Sequence, residues 1–254
     1  MIIKIETWVL SLTQENIKLP LIPVILPWKN SKGKSLNLLQ TYRSRFFTYN
    51  FLIIIWMIWY FLGDMSSTNC ITPQEKIGCS AAIWHNNIKN RIKYFISFFT
   101  SPFFYNSSQH IRFTTITFLI FVQSFEAKVG TKNTILIFFT IIISIGLLGG
   151  IVSNVGFYLF PESNIFSNML ERNWMGSSSG FMGIIGSMSH LSKFKLVLPG
   201  GVILFESWNF FINEISSTIS ITHIISCLFG YFLGKHLLKQ KSLDNLKEVT
   251  LSCD

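Results

Sequence analysis

Charge is what this chain lacks, and it lacks it in blocks. Phe46 to Gly63 runs uncharged between Arg45 and Asp64, and Asn133 to Pro161 does the same between Lys132 and Glu162. Asn173 to Ser192 lies between Arg172 and Lys193, and Ile215 to Gly234 between Glu214 and Lys235. A helix needs about 20 such residues to cross the apolar core of a bilayer, where no water satisfies a bare backbone. Two further stretches are less clean. Ile111 to Phe125 carries Arg112 near one end, where a long side chain reaches the interface, and Leu196 to Asn213 is interrupted by Glu206. Together the six stretches predict an all-α membrane protein, a six-transmembrane-helix bundle.

Composition agrees. Hydrophobic residues make up 49% of the 254 and charged ones 13%, whereas a soluble fold carries roughly 25% charged residues to cover its surface. A soluble enzyme, a disordered chain and a disulfide scaffold are thereby set aside. The net charge of +9 is spread over short segments between apolar runs instead of forming one patch, so the expected surroundings are a lipid bilayer and no nucleic acid.

Lys and Arg in the flanks orient such a bundle. The leading segment holds Lys4, Lys18, Lys29, Lys32, Lys34, Arg43 and Arg45 against Glu6 and Glu15, and the tail holds Lys235, Lys239, Lys241 and Lys247. Both termini are expected in the cytoplasm, with the cell membrane as the expected location. Three parts follow: a cytoplasmic or interfacial segment 1–45, a membrane domain 46–238 and a cytoplasmic tail 239–254. Met1 to Leu10 is too short, and too interrupted by Lys4 and Glu6, for the apolar region of a signal peptide. Cys70 and Cys79 share the outer first connection, where they either pair or remain two free thiols; Cys227 falls within a stretch and Cys253 in the tail.

The stretch carrying most chemistry is Gly176-Ser177-Ser178-Ser179-Gly180-Phe181-Met182-Gly183-Ile184-Ile185-Gly186. Residues three, four and seven apart share a helix face, so Ser179 heads a face that continues through Gly183 and Gly186. His223 heads a second one, through Ser226, Cys227 and Gly230 to Gly234. Faces without side chains let helices approach closely in a membrane. Packed together, they bring Ser179 and His223 to similar depth. A hydroxyl beside a neutral imidazole is the minimum for nucleophilic acyl transfer. No third carboxylate is visible beside either residue. A Gly/Ser-rich helix taken alone is more often only a packing surface. Ser177 and Ser178 lack the flanking glycines and read as capping or rim residues. His85, His190 and His236 lack metal-like spacing, so neither a metal nor a cofactor is expected.

These residues resemble the rhomboid intramembrane serine proteases. The resemblance covers about Asp64 to Gly234 and rests on four blocks: Thr100-Ser101-Pro102-Phe103-Phe104, Glu126-Ala127-Lys128-Val129-Gly130 against an E-x-x-x-G pattern, Ser179-Gly180 with Gly183 and Gly186, and His223 with Gly230 and Gly234. It implies Ser179 as nucleophile and His223 as general base. It also implies an oxyanion site from the Ser179 backbone N–H and an H-x-x-x-N motif, which here reads His110 to Thr114. The chain departs from the family pattern at Thr114, at Tyr105 where a second His is common, at Ser177 in place of a glycine, and at Ile96-Ser97 in place of a Trp-Arg pair. Glu206 is either a polar element of the substrate gate or a side chain reaching wet surroundings. The expected function is an intramembrane serine endopeptidase acting on transmembrane protein substrates through a Ser-His dyad. The alternative is a rhomboid-like pseudoprotease that binds transmembrane helices without cutting them.

Overall fold

The computed structural model describes residues 20–63, 65, 70–212 and 216–251, with side chains of the last helix followed to Leu237 and that of Asn87 left aside. Asp64, Glu214 and Cys253, and the leading charges Lys4, Glu6, Glu15 and Lys18, lie outside the described residues. The helices are α1 (Leu38–Ser44), α2 (Phe46–Leu62), α3 (Pro73–Ala81), α4 (Arg91–Thr100), α5 (Ser108–Thr117), α6 (Gln123–Val129), α7 (Thr131–Leu159), α8 (Asn164–Glu171), α9 (Ser178–Met188), α10 (Val197–Ile212) and α11 (Ser217–Leu251). A π-helical turn, Phe118–Val122, joins α5 to α6.

Local chemistry sets many of the boundaries. Asn37 and Gln40 form a capping box on α1, and Thr72 and Glu75 form another on α3, where Pro73 takes the first helical turn. The start of α2 is capped from a distance: the buried Glu126 carboxylate accepts from the Phe47 and Thr48 amides at 2.8 and 2.9 Å and from the Thr48 hydroxyl at 2.7 Å. Gly130, at φ +89°, ends α6 and starts α7. The E-x-x-x-G block thus has a structural job. Its Glu caps one helix, and its Gly supplies the left-handed turn between two others.

By length and hydropathy, α7 and the part of α11 up to Leu237 are each able to cross a membrane, and α1 with α2 makes a third candidate, bent by 88°. The other apolar stretches fall short of that measure. Asn173 to Ser192 yields only the 11-residue α9, about 16 Å long at 1.5 Å per residue, because its first residues form a loop. Ile111 to Phe125 is divided by the π turn, and α10 has 16 residues. The segment expected as a tail from residue 239 continues as helix to Leu251.

α9 sits at the centre. Every residue from Gly180 to Met188 is buried, as expected of a helix apolar all round. Its glycines explain how. A Cβ on Gly183 would strike Ile141 of α7, and one on Gly180 would strike Phe138 of the same helix. Toward α11, a Cβ on Gly186 would collide with the Cys227 carbonyl oxygen, and one on Gly230 with the Gly183 carbonyl. The hydroxyl of Ser187 donates to the Gly230 carbonyl at 2.7 Å. The predicted close approach of α9 and α11 is present, and the glycines also seat α9 against α7.

Candidate active site

The loop entering α9 is tied down before the serines begin. Ile83 and Trp174 pair as an isolated antiparallel bridge, and the Gly176 amide donates to the Ser101 carbonyl at 2.9 Å. Gly176 has φ +99°, and any Cβ there would meet the Cε1–Nε2 edge of His110. Only glycine fits both the backbone angle and the ring. Ser177 occupies the N-cap position of α9, yet its buried hydroxyl pairs with the Tyr105 hydroxyl at 2.8 Å and makes no cap bond. The expectation that Ser177 caps the helix is therefore corrected. Its φ of −91° and ψ of 7° lie outside the extended region an Asx- or Ser-type cap uses. The first amides of α9 are left without a side-chain cap.

Ser178 and Ser179 follow on the first turn of α9 and line a cavity of about 520 Å³. His110, from α5, and His223, from α11, line the same cavity. Gly183 lies against Gly230 and Ser187 against Gly234, so the two helices pack with a constant offset. Carried one turn further, that offset pairs Ser179 with Ser226, leaving His223 three residues, about 4.5 Å along the axis, toward the start of α11. Among the described residues no hydrogen bond joins Ser179 to His223; uncomplexed sites often tighten such contacts only around substrate.

The imidazole of His223 is engaged on its other nitrogen. Its Nδ1 lies 2.7 Å from Glu206 Oε1 of α10, and the carboxylate is 1% exposed against 12% for the ring. The sequence reading that no carboxylate stands beside the dyad is overturned here. Residues 17 apart on consecutive helices meet because α10 and α11 fold back on each other. Nothing in a single apolar run discloses that pairing, although Glu206 was conspicuous for interrupting one.

Thr114 is fully buried, is not among the cavity-lining residues, and its hydroxyl has no hydrogen-bond partner among the described residues. Asn106, which the sequence reading passed over, lines the cavity and places Oδ1 3.1 Å from His110 Nδ1. The i, i+4 spacing of Asn106 and His110 was the available signal, but Asn106 precedes the helix. Arg172 and Trp174 add a cation–π pair, 5.4 Å apart, to the cavity wall.

The remaining candidates take structural places. Cys70 and Cys79 form a disulfide, and Cys227 is a buried free thiol. His190 contacts the Tyr231 carbonyl at 2.7 Å, and His85 is buried beside Tyr94. Within this arrangement Ser179, the His110 and His223 imidazoles and Glu206 line one enclosure at the uncapped start of α9. A family model described as the Rhomboid domain matches residues 93–240, a range that takes in the serines, both imidazoles and Glu206. Neither a curated protein nor a solved structure gives a match.

Proposed function

The chain belongs to the rhomboid family, and from that premise we propose that it is an intramembrane serine endopeptidase that cuts transmembrane protein substrates. The observation that carries this reading is that Ser179 and His223 open onto one cavity from two helices in direct backbone contact. In the proposed reaction the Ser179 Oγ attacks a substrate carbonyl while His223 Nε2 takes its proton. The ring then returns that proton to the departing amine. Water hydrolyses the acyl-enzyme by the same route in reverse.

The oxyanion is assigned to the Ser179 backbone N–H at the uncapped start of α9, where the helix dipole also favours negative charge, together with His110. Asn106 joins His110 at this rim, with Thr114 as the family-derived alternative. The substrate segment has to unwind to present a carbonyl, which favours Gly and Ser over strong helix formers. Both termini are proposed to face the cytoplasm in a multi-pass arrangement of six crossings, supported by the flanking Lys and Arg residues.

Cleavage of a single-span substrate in reconstituted liposomes tests the proposal. Ser179→Ala and His223→Ala each abolish cleavage while their thermal transitions stay near wild type, and a fluorophosphonate labels wild type at Ser179 but neither variant. Full cleavage by either variant would refute the dyad. The second reading, a helix-binding pseudoprotease, is favoured by the absence of a direct Ser179–His223 hydrogen bond; it expects a folded wild type that binds the substrate yet takes no label.

A further inference from the structure

A carboxylate in an apolar helix of a membrane protein is costly unless a partner offsets it. Glu206 stands on α10 between Phe205 and Ser207, 1% exposed, with Oε1 at 2.7 Å from His223 Nδ1. Its other oxygen, Oε2, has no hydrogen-bond partner among the described residues. Phe205 stacks face to face on Phe113 of α5 at 5.6 Å, which holds this part of α10 against the cavity. The other ionisable groups on the cavity wall are His110, His85 and Arg172. Arg172 is a donor only, His110 Nδ1 is taken up with Asn106, and Glu206 Oε1 is the acceptor within hydrogen-bond distance of the His223 ring.

We propose that Glu206 is a positioning residue for His223, so that this chain works with a Ser179–His223–Glu206 triad in place of a bare dyad. The inference rests on the assignment of Ser179 and His223 above. An ionised carboxylate only accepts, so the contact requires a proton on Nδ1. The neutral ring then carries its lone pair on Nε2, the nitrogen left to take the Ser179 proton. During attack that proton moves from Oγ to Nε2, the ring becomes an imidazolium, and Glu206 stabilises it without itself being protonated. On proton return to the leaving amine the ring is again neutral with Nδ1–H facing Glu206. The carboxylate also fixes the ring's rotation.

Replacement by glutamine separates this role from simple anchoring. Glu206→Gln keeps the shape but offers an N–H to Nδ1, which moves the ring proton to Nε2 and removes the base. The expected result is a fall of about 10- to 100-fold in kcat, with KM within about twofold, and a parallel fall in the rate of fluorophosphonate labelling. Glu206→Asp recovers part of the loss. With ¹⁵N-labelled histidine, NMR of the Ser179→Ala protein shows His223 as the Nδ1–H tautomer, and Ser179→Ala/Glu206→Gln shows the Nε2–H form. Undiminished kcat in folded Glu206→Gln, while Ser179→Ala is inactive, overturns the triad and leaves the dyad standing. Should Glu206→Gln fail to fold, the tautomer in the Ser179→Ala protein alone decides: Nε2–H there overturns the proposal. Retained cleavage by Ser179→Ala instead overturns the parent assignment.

Discussion

At the scale of single residues, the side chains flanking Ser179 have partners of their own. Ser177 is held by Tyr105, His110 by Asn106 and Gly176, and His223 by Glu206. Such secondary contacts fix rotamers at the site, so that little reorganisation remains for the reaction itself. They also distinguish two candidates for the second oxyanion donor. Asn106 lines the cavity next to His110, whereas Thr114 is fully buried and does not line it. Asn106→Ala is accordingly expected to lower kcat by about 100-fold, the cost of one oxyanion donor, with little change in thermal stability. Thr114→Val, which replaces a buried hydroxyl that has no hydrogen-bond partner among the described residues and keeps the volume, is expected to keep or raise the melting temperature and leave kcat within a few-fold of wild type. Steady-state cleavage and thermal scans of the two variants decide it; the reverse pattern returns the oxyanion role to Thr114.

Among the helices, the central fact is how little separates α9 from its neighbours. A Cβ on Gly186 would meet the backbone carbonyl of Cys227, which no rotamer change can move, whereas nothing lies within 4 Å of a Cβ on Gly200 in α10. Gly186→Ala is therefore expected to destabilise the protein by about 1–3 kcal/mol through overpacking. Gly200→Ala is expected to be neutral or to stabilise by up to about 1 kcal/mol through helix propensity. Thermal unfolding in detergent reads both, and equal effects would mean that α9 and α11 are not in backbone contact. The spacing of Gly183, Gly186, Gly230 and Gly234 disclosed this contact in the sequence, because a side-chain-free face is visible without coordinates. The uncharged runs likewise marked α2 and α7 to within a few residues. α9 was overestimated because absence of charge does not distinguish a helix from a Gly- and Ser-rich loop. The Glu206–His223 pair was not legible at all, since it depends on the angle at which two consecutive helices return.

For the molecule as a whole, two buried polar anchors hold the bundle together in different ways. At one, the Arg45 side chain reaches Gln123 at 2.6 Å and Glu126 caps α2. At the other, the first connection docks on α7 through a buried chain: His85 Nδ1 lies 3.0 Å from the Tyr94 hydroxyl, which donates to the Gly146 carbonyl at 2.8 Å. Because the tyrosine proton is committed to Gly146, the His85 contact requires Nδ1–H as donor, and the ring is neutral with Nε2 against Gly149. Burial pushes the His85 pKa down to about 4, from an ordinary value of 6.5. Between those values the unfolded chain binds the proton and the folded one does not, so stability rises with pH across that window. The contribution is complete above about pH 6.5 and is lost progressively as the pH falls toward 4, with an upper limit of about 3 kcal/mol at 1.36 kcal/mol per pKa unit. The melting temperature in detergent is expected to drop over this range in wild type and to drop less in His85→Gln, which carries no titrating ring. Equal pH slopes in the two proteins would show that the first connection is not anchored through a buried neutral His85. Since His85 also borders the cavity that holds Ser179, protonation that loosens this anchor is expected to reduce cleavage at acid pH before the bundle itself unfolds.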